Sequence, residues 1–177
     1  MERHFHRFLN ADFYISLDHV QFSPAWTARD KIKTQNGWKW LTVNVKKTPQ
    51  KTAINKVDLS DNDWRTTHLN SIKESYKKAA YYDEIIHEIE KIYFKDFVLL
   101  KDFNMATIEL LMDLLDVRIP WVYSSSLNPS GSKSELMANL SKSVGANYYL
   151  SGEGARDYFE PEPFDKANIK VMWQKFY

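Results

Sequence analysis

The sequence has no cysteine among its 177 residues. Disulfide bonds, thiolate nucleophiles and Cys-type zinc sites are therefore excluded, and a reducing compartment is compatible. An excess of charge is missing too: 24 Lys and Arg face 23 Asp and Glu, a formal charge of +1. Binding DNA or RNA non-specifically needs a basic face that releases counterions, so this balance makes no case for a nucleic-acid partner. No apolar run approaches the roughly 20 residues needed to span a bilayer. The opening Met1-Glu2-Arg3-His4-Phe5-His6 lacks the apolar core of about 7–15 residues found in a signal peptide. A cytoplasmic chain without membrane insertion is expected. Also missing are H-E-x-x-H, G-x-S-x-G and G-x-G-x-x-G, so metalloprotease, serine-hydrolase and dinucleotide-binding readings have no support. Asn128-Pro129-Ser130 is no glycosylation acceptor, because proline fills its middle position.

Aromatic side chains are plentiful: six Trp, ten Tyr and ten Phe, 15% of the chain. With 44% hydrophobic and 27% charged residues, this is globular composition and not bulk disorder. The length suits one domain. The rings supply a core and leave some for a site wall.

Alternation of Phe13, Ile15 and Leu17 with polar or amphipathic neighbours predicts a half-buried strand over 12–17. A second strand is expected over 38–45, after a turn at Gln35-Asn36-Gly37, and a third, weaker one over 54–59. Helical spacing then takes over. Ser60-Asp61-Asn62-Asp63 offers several N-caps for a helix with Leu69, Ile72 and Tyr76 on one face. A second helix over 82–93 turns Ile85, Ile86, Ile89 and Ile92 inward. A third, capped by Asn104, carries Met105, Ile108, Leu111, Met112 and Leu115.

The last third reads as strand (119–123), polar loop (124–131), helix and strand (147–151). Ser132 and Glu135 form a capping box for that helix, Leu136, Leu140 and Val144 line its buried side, and Gly145 ends it. Strand, helix and strand so closely joined predict a βαβ unit with parallel strands and a right-handed crossover. One more strand is expected over 169–174. The fold class is therefore α/β: a single domain with an open, mostly parallel sheet, flanking helices and a C-terminal βαβ unit.

In open α/β sheets ligands collect outside the carboxyl ends of the strands. Here those ends are Ser124-Ser125-Ser126 and Ser151-Gly152-Glu153-Gly154. Gly152 and Gly154 let the backbone turn sharply and offer N–H donors to an anion. Arg156 adds a fork for phosphate or carboxylate, and Asp157 an acceptor. The same residues also fit a tight turn with a surface ion pair. Arg29, Lys31 and Lys33 place three cations on one side of an extended segment near Asp18 and Gln21, a phosphate site or a plain basic face. Gly131-Ser132-Lys133-Ser134 lacks the full phosphate-loop spacing and reads as a capped helix start. His68, four residues from Trp64, fits a core position as well as a catalytic one. His4 and His6 lack the further ligands of a metal site, and His87 reads as surface.

Together these stretches resemble the WbqC-like family of bacterial proteins. The resemblance rests on residues 12–22, Asp-Phe-Tyr-Ile-Ser-Leu-Asp-His-Val-Gln-Phe, then Trp26 with Arg29, and residues 37–43, Gly-Trp-Lys-Trp-Leu-Thr-Val. It continues through Trp64-Arg65 with His68, Tyr76 and Tyr81-Tyr82, to residues 150–158, Leu-Ser-Gly-Glu-Gly-Ala-Arg-Asp-Tyr. Departures from the family's pattern are His19 for a second Asp, Asp30 for Asn, Asn44 for Pro and Ala155 for Gly. No counterpart of the family's opening Gln-Pro-x-Tyr-x-Pro-Trp-like segment or closing tail is found, so a single domain shortened at both ends is expected.

The resemblance implies a role in making bacterial surface polysaccharide, typically O-antigen. It implies modification of a nucleotide-linked amino sugar by acyl or aminoacyl transfer to the sugar amine. Asp18, His68 or Asp157 would then take the amine proton. Substrate would be held by Gln21, Arg29, Lys31, Trp38, Trp40, Arg65, Ser125, Ser126, Ser151, Gly152, Gly154, Arg156 and Tyr158. No metal site is expected. With no cysteine to form an enzyme thioester, transfer would come directly from an activated acyl donor. The alternatives are a binding protein for a nucleotide sugar without catalysis, and a ligase using ATP with magnesium.

Overall fold

The computed structural model describes residues 2–175, with side chains from Phe5 onward. The chain opens with α1 (Glu2–Phe8), β1 (Tyr14–Ser16), α2 (Pro24–Thr27), β2 (Arg29–Thr34) and β3 (Gly37–Thr42). A 3-10 turn (Ile54–Lys56) leads to three helices, α3 (Trp64–Tyr76), α4 (Tyr82–Phe94) and α5 (Leu100–Leu114). Then come β4 (Trp121–Tyr123), a 3-10 turn (Ser124–Leu127) and α6 (Lys133–Ser143). Last are β5 (Tyr148–Ser151), a third 3-10 turn (Glu153–Tyr158), α7 (Glu162–Lys166) and β6 (Lys170–Trp173). The mixed helix and strand content expected of an α/β chain is present.

The described strands pair as three two-stranded ladders, not as one open sheet. β1 runs parallel to β4, with Tyr14 opposite Trp121, and β5 runs parallel to β6, with Ser151 opposite Trp173. β2 and β3 form an antiparallel hairpin. Strand, helix and strand do follow one another in β4, α6 and β5, but β4 pairs with β1 and β5 with β6. Strands of three or four residues carry few ladder bonds each, so helix packing and side chains must hold their ends. The chain divides into two compact units, one of residues 1–19 and Asp116–Tyr177, the other Val20–Leu115.

In the unit Val20–Leu115, Gln35 and Asn36 make the hairpin turn, and Gly37 takes φ +120°, a conformation that L side chains rarely adopt. The residues expected as a third strand instead form the Ile54–Lys56 turn, followed by isolated bridges from Asp58 to Leu99 and from Leu59 to Val45. Val57 and Leu59 are buried on either side of the half-buried Asp58, so strand-like alternation survives over 57–59, while 54–56 coils into the turn. Trp64 centres the core. Its ring meets Phe103 edge-on at 5.2 Å and lies 6.0 Å from Tyr93, and its Nε1 donates to Ser60 O at 3.1 Å. Leu69, Leu100 and Ala28 close around it. α3 starts where the acidic run predicts, although its N-cap, Asp63, makes no side-chain cap bond. α5 begins four residues before Asn104, which lies inside the helix and donates from Nδ2 to Thr27 O at 2.8 Å. Leu115, expected in the core, is exposed.

In the other unit, α6 and α7 pack on the β5–β6 ladder around Phe164, which stacks on Tyr149 at 5.0 Å and on Phe159 at 5.3 Å. Gly145 follows α6 at φ +70°, where its N–H donates to Lys142 O, the expected helix end. Ser132 is the N-cap residue without a side-chain cap bond, so the capping box is not formed. Its neighbour Ser134 instead accepts from Glu160 N at 3.0 Å.

Candidate functional site

The carboxyl ends of β1 and β4 lead into two loops locked by one buried carboxylate. Asp18 is 2% exposed. Its Oδ1 accepts from Ser124 Oγ at 3.0 Å and from the Ser125 amide at 2.8 Å, and its Oδ2 accepts from Ser125 Oγ at 2.7 Å. Ser124 Oγ also takes the Asp18 amide at 3.1 Å and lies 2.6 Å from His19 Nδ1. A serine hydroxyl has one proton and two lone pairs. The proton belongs on the carboxylate, the strongest acceptor in reach, and the Asp18 amide fills one lone pair. His19 Nδ1 is then the donor to the other, and Nε2 is left outside the network. His19 is half-buried. Such an array can hold an imidazole in one orientation through a hydroxyl and a carboxylate, the logic by which a histidine is aimed at a proton.

Asp18, grouped by the sequence with Arg29, Lys31 and Gln21, is bound here by Ser124 and Ser125. With both oxygens occupied and almost no exposure, it orients its neighbours and does not face a substrate. Ser125 joins the network, whereas Ser126 donates to Tyr123 O at 2.8 Å. Beside β5, Ser151 is buried, Gly152 is half-buried and Gly154 is open on its Cβ side. Arg156 pairs through Nε and Nη2 with the Glu153 carboxylate, and its guanidinium lies over the Trp173 ring at 4.3 Å. The expected anion fork is thus already occupied, as the surface-ion-pair reading has it. Asp157 and Tyr158 are exposed. A cleft of about 290 Å³ between Leu127, Pro129, Asn139 and Lys142 has Lys142 as its only charged lining residue.

The remaining predicted residues belong to the unit Val20–Leu115. On one face of the hairpin, Lys31 Nζ stands 3.7 Å over the Trp38 ring, and Arg29 lies 4.4 Å over Trp40. Trp38 is 57% exposed and Trp40 41%. Cation and ring alternate because Lys31 is opposite Trp40 and Lys33 opposite Trp38. Gln21 bridges to Ala53. Arg65 leans over Trp64 and donates to Phe97 O at 3.4 Å. His68 is 5% exposed, with its Nδ1 at 3.3 Å from the Tyr93 hydroxyl. Burial chiefly lowers its pKa, the Thr42 backbone hydrogen bond opposing and Lys39 reinforcing the shift, while burial pushes the Tyr93 phenol up to about 12. His68 is a neutral core histidine, and its place in the core leaves no open face for a substrate. Among the described residues no three His, Asp or Glu side chains group as a metal site. The side chain of His4 lies outside the described residues.

The model of the WbqC-like protein family matches residues 3–177. The chain belongs to the WbqC-like family. Over 165 residues it is 28% identical to an uncharacterized protein of Mycobacterium tuberculosis, covering 92% of this chain and 71% of that protein. No solved structure matches. Among the described residues of this WbqC-like chain no helix is long and apolar enough to cross a membrane.

Two side chains that sequence reasoning passed over stand at the ends of the parallel ladders. His19 counted there only as a departure from the family's Asp, although adjacency to Asp18 was a signal for it. Arg7 gave no signal, being one cation in a short N-terminal segment. In the structure α1 is tied to β6 by Gln174 Nε2, 3.0 Å from His6 Nδ1, and its Phe8 ring meets Tyr14 of β1 at 4.8 Å. Those two anchors fix where Arg7 stands.

Proposed function

We propose that this WbqC-like protein modifies a nucleotide-linked amino sugar during assembly of bacterial surface polysaccharide, by acyl or aminoacyl transfer to the sugar amine. The observation that carries the reading is the Asp18–Ser124–His19 array, which holds an imidazole at the carboxyl end of a parallel strand pair. The amine nitrogen bonds to the acyl carbon of an activated donor, and the donor's leaving group departs with the electron pair of the broken bond. The proton released by the amine passes to His19 Nε2 and from there to the leaving group. Asp18 acts through Ser124 as a positioning residue. Taken by itself, the unit Val20–Leu115 carries exposed Lys31–Trp38 and Arg29–Trp40 stacks, cations and rings of the kind that engage the phosphates and base of a nucleotide.

The test is to incubate the protein with amino-sugar nucleotides and, separately, with acyl-CoA, or amino acids with ATP and magnesium, reading product mass. Transfer should add the acyl mass to the sugar nucleotide, and His19→Gln should slow it roughly 10²–10⁴-fold, the span of general-base catalysis. Undiminished transfer by His19→Gln would remove the base assigned here. Melting shifts with every ligand left chemically unchanged would favour a binding protein, the reading that the hairpin's stacked cations support without catalysis. Consumption of ATP in the transfer would favour the ligase.

A further inference from the structure

A second feature at the strand ends is independent of the transfer reaction. Tyr14 and Ser16 on β1, and Tyr149 and Ser151 on β5, repeat one pattern: a tyrosine and a serine two residues on, on the same face of the strand. Arg7 lies within electrostatic reach of both phenols. An added Cβ at Gly152 would come 3.5 Å from Arg7 Nη2. One guanidinium therefore stands beside two Tyr-x-Ser strands and a glycine.

That guanidinium is uncompensated. Arg7 is half-buried, and its Nε–H is sealed from solvent with no hydrogen-bond partner. Burial raises the pKa of Tyr14 and Tyr149 despite the cation, so both phenols are neutral and cancel none of its charge. No carboxylate is among the groups acting on either phenol. The contrast with other arginines is clear: Arg156 is neutralised by Glu153, and Arg65, whose Nε is also unbonded, donates to Phe97 O and stacks on Trp64. Buried polar groups are almost always bonded, so a sealed Nε–H on an arginine with no ion pair favours an anion beside it. Gly152 leaves room for one at Nη2.

We infer that Arg7, beside Gly152, forms a binding site for a single anionic group, a carboxylate or a phosphate. Arg7, not Arg156, is then the anion anchor at this end of the fold. The planar fork receives two oxygens of the group, and the neutral phenols do not repel it.

The experiment titrates the full chain with inorganic phosphate and, separately, with sodium acetate, against sodium chloride at equal ionic strength. It reads the melting temperature and the proton–nitrogen signal of the Arg7 Nε–H. At least one of the two anions should raise the melting temperature beyond chloride and move that signal, the responding anion telling phosphate from carboxylate. Arg7→Gln should abolish the rise. Gly152→Ala, which places a methyl in ordinary contact with Nη2 on an unstrained backbone, should weaken binding about tenfold or more. Arg156→Ala should leave the rise in place. If Arg7→Gln does not fold, Arg7→Lys and Gly152→Ala decide, both predicted to weaken the response. A rise that survives these changes, or no response to either anion beyond chloride, overturns the site. Neither result touches the transfer reaction, which is read from product mass.

Discussion

Replacing Asp18 by Ala tests whether one carboxylate locks the loops at the ends of β1 and β4. Ser124 is wholly buried and Asp18 nearly so, so water cannot readily replace the acceptor that Ser124 Oγ–H and the Ser125 amide would lose. The Ser125 side chain is on an exposed residue and can turn to solvent. Bonds to a charged group contribute about 1.5–3 kcal/mol each, so two stranded donors, after partial relaxation, make Asp18→Ala cost about 3–5 kcal/mol. Asp18→Asn keeps Oδ1 for the same two donors and should cost about 1–2 kcal/mol. Urea unfolding followed by tryptophan fluorescence gives both numbers, and hydrogen exchange at the Ser125 amide tells whether the loss is local. A double cycle with Ser124→Ala should be non-additive, because both changes break the Ser124–Asp18 side-chain bond. The reasoning fails if Asp18→Ala costs less than about 1 kcal/mol while the Ser125 amide stays protected.

Two further outcomes follow from the geometry. Burial lowers the folded pKa of His68, so the unfolded chain binds the extra proton first; its contribution to stability is full above the ordinary value near 6.5 and is lost as pH falls from there through the folded pKa. Urea midpoints measured from pH 8 to pH 5 should fall less steeply for His68→Phe than for the wild type, and parallel curves would contradict a buried neutral histidine. Gly145→Ala meets no atom within 4 Å of the new Cβ, so only the φ of +70° opposes it. A loss of about 1 kcal/mol is expected, seen as a melting temperature about 2–4 °C lower, and an unchanged melting temperature would refute the strain.

What could be read from the sequence was whatever local chemistry decides. Gly145 ends α6 and Gln35-Asn36-Gly37 turns the hairpin because positive φ is a property of single residues. α5 was misplaced because Leu99, where it starts, is no capping residue, while Asn104 looks like one and spends its side chain on Thr27 O. Ladder partners were not legible, since β4 joins β1 from the far end of the chain and not its neighbour in sequence. Among site residues, the strand-end rule grouped Ser124, Ser125 and Ser126 with Ser151 to Gly154, but β4 and β5 lie in different ladders, and the partner that Ser124 and Ser125 bind is Asp18. Arg156 could not be judged, because its pairing with Glu153 and its stacking on Trp173 depend on side-chain geometry. His19 and Arg7 gain their interest from what they do or do not bond, which composition and spacing do not contain.

The bond between Ser124 and Asp18 joins positions 106 apart in the chain. On a ribosome adding about 5–20 residues per second, β1 and its loop would be made roughly 5–20 s before their partners emerge. The continuous unit Val20–Leu115 can fold within that interval, while β1 waits as an open strand with a carboxylate that has none of the Ser124 and Ser125 donors. Order of synthesis thus sets order of assembly: the helices first, the site last. A change that weakens the 124–127 turn would therefore act on a nascent chain before it acts on any finished molecule, and would show as lower yield of folded protein.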